Sequence, residues 1–180
     1  MVPIMKYDAM NMIKDPLRRQ YIASVFNRVR EVFGDKLVSF IIYGSVARGM
    51  DSRSSDVDVL LILDDDRSYS DRCMILSKIM REVYNTDIAK RLIEKGYNLF
   101  VEFYPLNKEE AAVFRPIYLD MVHDAIVLYD RDYFFKNIMN RVRNLLLKLG
   151  SRRIWLDKDQ WLWILKPDIR FGERIEYELE

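Results

Sequence analysis

The chain has one cysteine, one histidine, five prolines and six glycines in 180 residues, and almost no net charge. A single thiol closes no internal disulfide, so a reducing compartment is expected and the core must hold the fold without covalent help. Cys73 falls in a helical pattern with no histidine nearby and is expected to be a small buried hydrophobe. His123 stands alone, without a cysteine or second histidine beside it, and is expected to be structural rather than catalytic. The 29 basic residues nearly cancel the 28 acidic ones, so total charge argues for neither a nucleic acid nor a membrane surface. No apolar run approaches the ~18 residues of a spanning helix. The opening residues, with Lys6 and several methionines, contain no signal-peptide core. A cytoplasmic protein with no membrane partner is the expectation, and the chain shows no internal repeat or low-complexity segment.

What is present is an ordinary globular balance, 50% hydrophobic and 32% charged, in a length that fits one domain with a small appendage. One stretch organises it, VSFIIYGSVARGMDSRSSDVDVLLIL at residues 38–63. Two apolar runs, Val38–Tyr43 and Val57–Leu63, have strand length and β-branched content and bracket a small, polar loop. The first strand delivers Gly44 and Ser45 to its carboxyl end. The second carries Asp56 and Asp58, which the two-residue period places on one face, roughly 7 Å apart at the backbone. Apolar neighbours keep that face partly dry, so the two charges repel by a few kcal/mol at an effective dielectric near 20. A divalent cation removes that cost. Paired carboxylates without thiol or imidazole ligands favour Mg2+ or Mn2+. Gly44 and Ser45 can bring bare N–H groups and a hydroxyl against phosphate oxygens. Metal and phosphate cradle together point to a nucleoside triphosphate.

Gly44-Ser45, ten intervening residues, then Asp56-Val57-Asp58-Val59 resembles the signature of the DNA polymerase β superfamily of nucleotidyltransferases. The fuller string, GSVARG followed by SDVDVLL, is similar to its small prokaryotic members, the minimal nucleotidyltransferases. The resemblance spans about residues 15 to 106. It implies the nucleotidyltransferase fold, an α/β (α+β) mixed sheet packed by helices, with ATP or another NTP as donor and magnesium as cofactor. It also implies a third carboxylate on a neighbouring strand. Glu102, an acid inside the otherwise apolar run NLFVEFYPL, fits that position; a buried strand carboxylate is costly unless a cation pairs with it. The alternative for Glu102 is an edge-strand residue facing water.

The implied chemistry is transfer of an NMP, AMP from ATP first, to a hydroxyl acceptor with release of pyrophosphate. Asp56, Asp58 and Glu102 would hold two metal ions, and Glu102 could take the acceptor's proton. Gly44 and Ser45 would hold the β- and γ-phosphates. Arg48 would neutralise the triphosphate or fix the loop, and Ser55 would cap or hydrogen-bond beside Asp56. Members of this superfamily modify tRNA ends, other nucleic acids, aminoglycosides or protein side chains. The leading expectation is a partner toxin protein of the HEPN type. The same fold can instead serve as an inactive nucleotide- or partner-binding module, or as a small-molecule nucleotidyltransferase.

Elsewhere the pattern predicts a helix from Pro16 to Phe33, capped by Asp15 and ended by Gly34. Residues 1–14 read as irregular. Asp64-Asp65-Asp66 reads as a solvated turn. Helices are expected near 70–84 (with Met74, Ile75, Ile79 and Val83 on its apolar side) and 86–95, then a strand at 98–106. A helix from 108 to 124, capped by Asn107, should bend or split at Pro116. A short strand at 125–129 and a long amphipathic helix at 130–149 follow. No acid interrupts residues 133–156, so that helix has basic flanks, read as side chains snorkelling round an apolar face or as a wall for an anionic ligand. The tail alternates apolar and polar residues through Trp155, Trp161, Trp163, Ile175, Tyr177 and Leu179 and reads as short strands or a hairpin. Its tryptophans are expected to fill core. Residues 1–125 are therefore expected to form the catalytic core, and 126–180 a helix and β extension packed on it.

Overall fold

Asp15 sets the first long element. Its Oδ1 accepts from the Leu17 and Arg18 N–H groups at 2.8 and 3.2 Å, and Pro16 supplies a pre-set first helical residue. The protein is described here from a computed structural model covering residues 7–173. A short helix, α1 (Tyr7–Met10), precedes α2 (Pro16–Phe33). Tyr21, Ile22, Val25, Phe26, Val29 and Phe33 recur at helical spacing and are buried on one face of α2. After one turn of tighter helix come β1 (Leu37–Tyr43), the single-turn helix α3 (Gly44–Arg48) and β2 (Val57–Leu63). Then follow α4 (Tyr69–Val83), α5 (Asp87–Glu94), β3 (Val101–Asn107), α6 (Lys108–Ala112), α7 (Tyr118–Asp124) and β4 (Ile126–Asp130). The described chain closes with α8 (Phe134–Leu149) and the hairpin of β5 (Arg152–Trp155) and β6 (Trp161–Ile164).

The main sheet runs β3-β2-β1-β4. β1 pairs antiparallel with both β2 and β4, and β2 pairs parallel with β3. The sheet is mixed, as the resemblance implies. Both faces are covered, so β1 and β2 read as nearly unbroken apolar runs rather than alternating ones. One core joins Phe40, Ile42, Val59 and Leu61 to α2, α4 and α5; the other joins Ile41, Leu60 and Ile62 to α6, α7 and α8. Phe26 of α2 meets Phe40 of β1 edge to face, with ring centroids 5.2 Å apart. β4 is the fourth strand of this same sheet, so the segment after residue 125 is built onto the sheet that carries the candidate site. No helix among the described residues is long and apolar enough to cross a membrane.

Several local expectations change. Residues 7–10 are helical, and Met10 and Ile13 lie in the core, because α1 packs towards β4. Asp65 is not solvated: it is 5% exposed and bound to the Arg67 side chain, with Lys36 Nζ 3.7 Å away. Burial there is tolerable because the charge is paired, and these bonds hold its carboxyl below the usual range. Pro116 does interrupt the helix, leaving α6 and α7 on either side of residues 113–117. The long helix starts only at Phe134, because Asp132 and Tyr133 take positive φ. Cys73 is half-buried and Met74 exposed; α4 buries Ile79 and Val83 as expected, with Leu76 and Met80 beside them. Ile175, Tyr177 and Leu179 lie outside the described residues.

Arg18 ties α2 to the loop between α3 and β2. It is 1% exposed, donates to the carbonyls of Ser52 and Ser55 at 2.7 and 2.9 Å, and has Nε 3.0 Å from Asp51 Oδ2. A buried guanidinium stripped of its partner costs ~3–5 kcal/mol, so this loop is held to the fold rather than hanging from it.

Candidate functional site

The site begins where β1 ends. Tyr43 pairs with Asp58 across the antiparallel ladder, so the first turn of α3 rises beside the Asp58 side chain. Gly44 takes φ +69°, and a Cβ built there would lie 1.9 Å from Asp58 Oδ2 and 2.8 Å from its Cγ. The carboxylate therefore lies on the bare Cα of Gly44. Any side chain at residue 44 would occupy its place. No side chain caps the N-terminus of α3, which leaves its first N–H groups without that kind of partner.

The parallel pairing of β2 with β3 places Asp58 directly opposite Glu102, and Val57 opposite Val101. Neighbouring residues in register on adjacent strands project to the same face. Asp56, two residues before Asp58, ends the approach to that face. The electrostatics agree with the placement. The Asp58 carboxyl is pushed up to about 6 by burial first, then by the charges of Glu102 and Asp56, with Arg48 pulling the other way. Tyr43 is also pushed up, by burial and then by Asp58 and Glu102. The half-buried Asp58 thus feels both of the other carboxylates. Glu102 itself is exposed on the edge strand. The burial that its apolar neighbours suggest is not found; register alone sets Glu102 opposite Asp58. Beside it opens a cavity of about 450 Å³ walled by Tyr43, Tyr69, Tyr104 and Arg115.

Arg48 closes the other side. Its guanidinium sits 4.7 Å from the centroid of the Trp161 ring, a cation–π contact. The Trp161 and Trp163 indoles both donate to Asp120 Oδ1, at 2.8 and 2.9 Å. Of the tryptophans only Trp163 packs on the core, and it is half-buried; Trp155 is 45% exposed, and Trp161 is half-buried outside the core. The hairpin's link to the Gly44–Arg48 turn is absent from any motif; the alternation of Trp161 and Trp163 was its only trace in the sequence. Ser55 is used within its own loop: its Oγ accepts from the Ser52 N–H at 3.0 Å, while its carbonyl accepts from Arg18. His123 stacks on Trp163, in line with a structural role.

Among the described residues, no three acid, imidazole or thiol groups are already gathered as a metal cage. The donor chemistry nevertheless suits a hard divalent cation: oxygen ligands only, a carboxyl pushed up by two like charges, and a single guanidinium as counter-charge. A cation between Asp56, Asp58 and Glu102 would relieve that repulsion.

Comparison with known proteins bears on this geometry. The nucleotidyltransferase domain family profile matches residues 22–120, which holds α3, β2 and β3 complete. The chain is 28% identical over 133 residues to a candidate protein adenylyltransferase of Methanocaldococcus jannaschii, covering 74% of this chain and 84% of that protein. Among solved structures it is similar to the crystal structure of a toxin-antitoxin with AMP-PNP. There the TM-score is 0.45 and the identity 14%, over 71% of this chain and 91% of that one.

Proposed function

The chain belongs to the nucleotidyltransferase domain family, and we propose that it moves AMP from ATP to a hydroxyl of a partner protein, releasing pyrophosphate. The observation that carries this reading is the register of Glu102 against Asp58, with Asp56 alongside, in front of the Gly44 turn. A binding module alone needs no third acid there. The protein acceptor is supported by the name of the Methanocaldococcus relative. A toxin of the HEPN type is the partner that the resemblance to minimal nucleotidyltransferases favours.

Asp56, Asp58 and Glu102 are the residues that would hold Mg2+ or Mn2+. When bound, the metal would supply Lewis-acid stabilisation of the charge on the α-phosphate. The rest belongs to the chain. Gly44 and Ser45 offer backbone N–H groups and a hydroxyl to the β- and γ-phosphates, with no Cβ at residue 44 to hold them off. Arg48, steadied by the Trp161 ring, gives positive charge to the triphosphate. Ser55 shapes the loop that delivers Asp56. As the acceptor oxygen bonds to the α-phosphorus, the bond to pyrophosphate breaks. The acceptor's proton passes to Glu102, the exposed acid of the three, which lines an open cavity.

Glu102→Gln tests the assignment, because it keeps size and exposed position but loses the charge and the proton acceptor. Transfer is expected to fall by about 10²–10⁴-fold. ATP affinity measured without divalent metal should change by less than about threefold, since Glu102 repels phosphate rather than holding it. Transfer within about threefold of wild type would remove Glu102 from the mechanism and favour the binding-module reading.

A further inference from the structure

The basic run that begins in α8 has a destination the carboxylate site does not use. A second cavity, about 480 Å³, opens between α7, the last turns of α8 and β5, and is lined by His123, Arg143, Arg152, Arg153, Trp155 and Trp163 together with leucines. No acid lines it. Arg153 is held by Asp124 at 2.5 Å and lies against the Trp155 ring, 4.8 Å from its centroid. Arg143 is exposed, and among the described residues it donates only to neutral groups, the Asn140 amide oxygen at 3.0 Å and the Val122 carbonyl. The exposed guanidinium of Arg152 has no ion-pair or hydrogen-bond partner among the described residues. The walls are flat: His123 stacks on Trp163 with centroids 5.6 Å apart, and Trp155 presents a half-open ring. The total charge of the chain is close to zero, yet among the described residues this corner carries two guanidinium groups without an acidic partner around aromatic planes.

That pairing suits a ligand that is flat at one end and anionic at the other. Rings and guanidinium planes stack on bases, at ~1–3 kcal/mol per base, and free guanidinium forks bind phosphate. A partner helix would instead want a continuous apolar face, which the arginines interrupt. We propose that this cavity is a second binding site for a nucleobase carrying phosphate, supplied by a free nucleotide or by the end of a single RNA strand. It is distinct from the carboxylate site and holds whether or not that site transfers AMP.

All three tryptophans lie between residues 155 and 163, so intrinsic fluorescence reports on this corner. The test uses the Asp56→Ala/Asp58→Ala variant in EDTA, titrated with AMP, with ATP and with a short single-stranded oligoribonucleotide. Saturable quenching is expected, and for the strand it should weaken about sevenfold between ~50 and ~200 mM salt for two neutralised phosphates. Quenching by the mononucleotides as well as the strand assigns a nucleotide site; quenching by the strand alone assigns an RNA end. Arg143→Glu with Arg152→Glu, both exposed and so tolerated by the fold, should weaken binding at least about tenfold. Absence of quenching by all three ligands overturns the proposal, as does quenching that survives Arg143→Glu/Arg152→Glu.

Discussion

Asp58→Asn should abolish transfer and make the protein harder to unfold. Both effects have one cause. In the folded chain the Asp58 carboxyl is pushed from 3.8 up to about 6, by burial and then by Glu102 and Asp56. Ionised Asp58 is therefore a cost to the apo fold, one a bound cation would relieve. The native state binds this proton more tightly than the unfolded chain does. The group's stabilisation is full below pH 3.8 and is lost as pH rises through about 6. That difference corresponds to ~3 kcal/mol; because Asp58 is only half-buried, screening reduces this to about 1 kcal/mol. Without divalent metal, the variant's Tm at neutral pH should exceed wild type by ~2–4 °C, the difference vanishing near pH 4. Transfer should fall by at least about 10³-fold through loss of charge at the reacting phosphate. A lower Tm, or transfer unchanged, would contradict the account. Gains of stability from deleting a functional charge are the ordinary sign of a site kept under electrostatic strain.

Gly44→Ala should also stop transfer, but with the opposite effect on stability. The new Cβ would fall 1.9 Å from Asp58 Oδ2, and residue 44 already sits at φ +69°. An L residue in that region costs ~1–2 kcal/mol, and the Asp58 carboxylate must swing away to make room. Misplacing a reacting group by about 1 Å can cost ~10²-fold, so a loss of at least that size is expected in steady-state transfer. Tm should drop by about 2–8 °C for a chain of this length. The two variants together separate charge from shape: both are inactive, one melts higher and the other lower. If Gly44→Ala kept wild-type transfer, the carboxylate would not work from the position it occupies against α3.

Much of this was legible because it is local. β2 was expected at Val57–Leu63 and is found there, since a run buried on both faces has an unmistakable composition. The Asp15–Pro16 start of α2 and the interruption at Pro116 follow from backbone chemistry that needs no partner. The position of Glu102 could be inferred, but the argument from burial fails; only the parallel register of β3 against β2, set by the whole α/β crossover, places it. Asp65 is a different case: its main partner, Arg67, lies only two residues on, a pairing that a run of three acids hides, and only Lys36 comes from afar. Arg18 reaches carbonyls more than thirty residues away, and Trp161 meets Arg48 through the tertiary docking of the hairpin on α7. Sequence periodicity reports which face of an element is apolar, not which neighbour that face meets.

The central claim is tested most directly by following the α-phosphate. Protein, Mg2+ and α-phosphate-labelled ATP would be incubated with extract from the host cell, alongside the Asp56→Ala/Asp58→Ala variant. The account predicts label in macromolecular material only with the wild type, removed by protease and resistant to nuclease. Label that survives protease but yields to nuclease would keep the enzyme and move the acceptor to nucleic acid. No incorporation from any of the four common nucleotides, or equal incorporation by the variant, would contradict the carboxylate cluster as a transfer site.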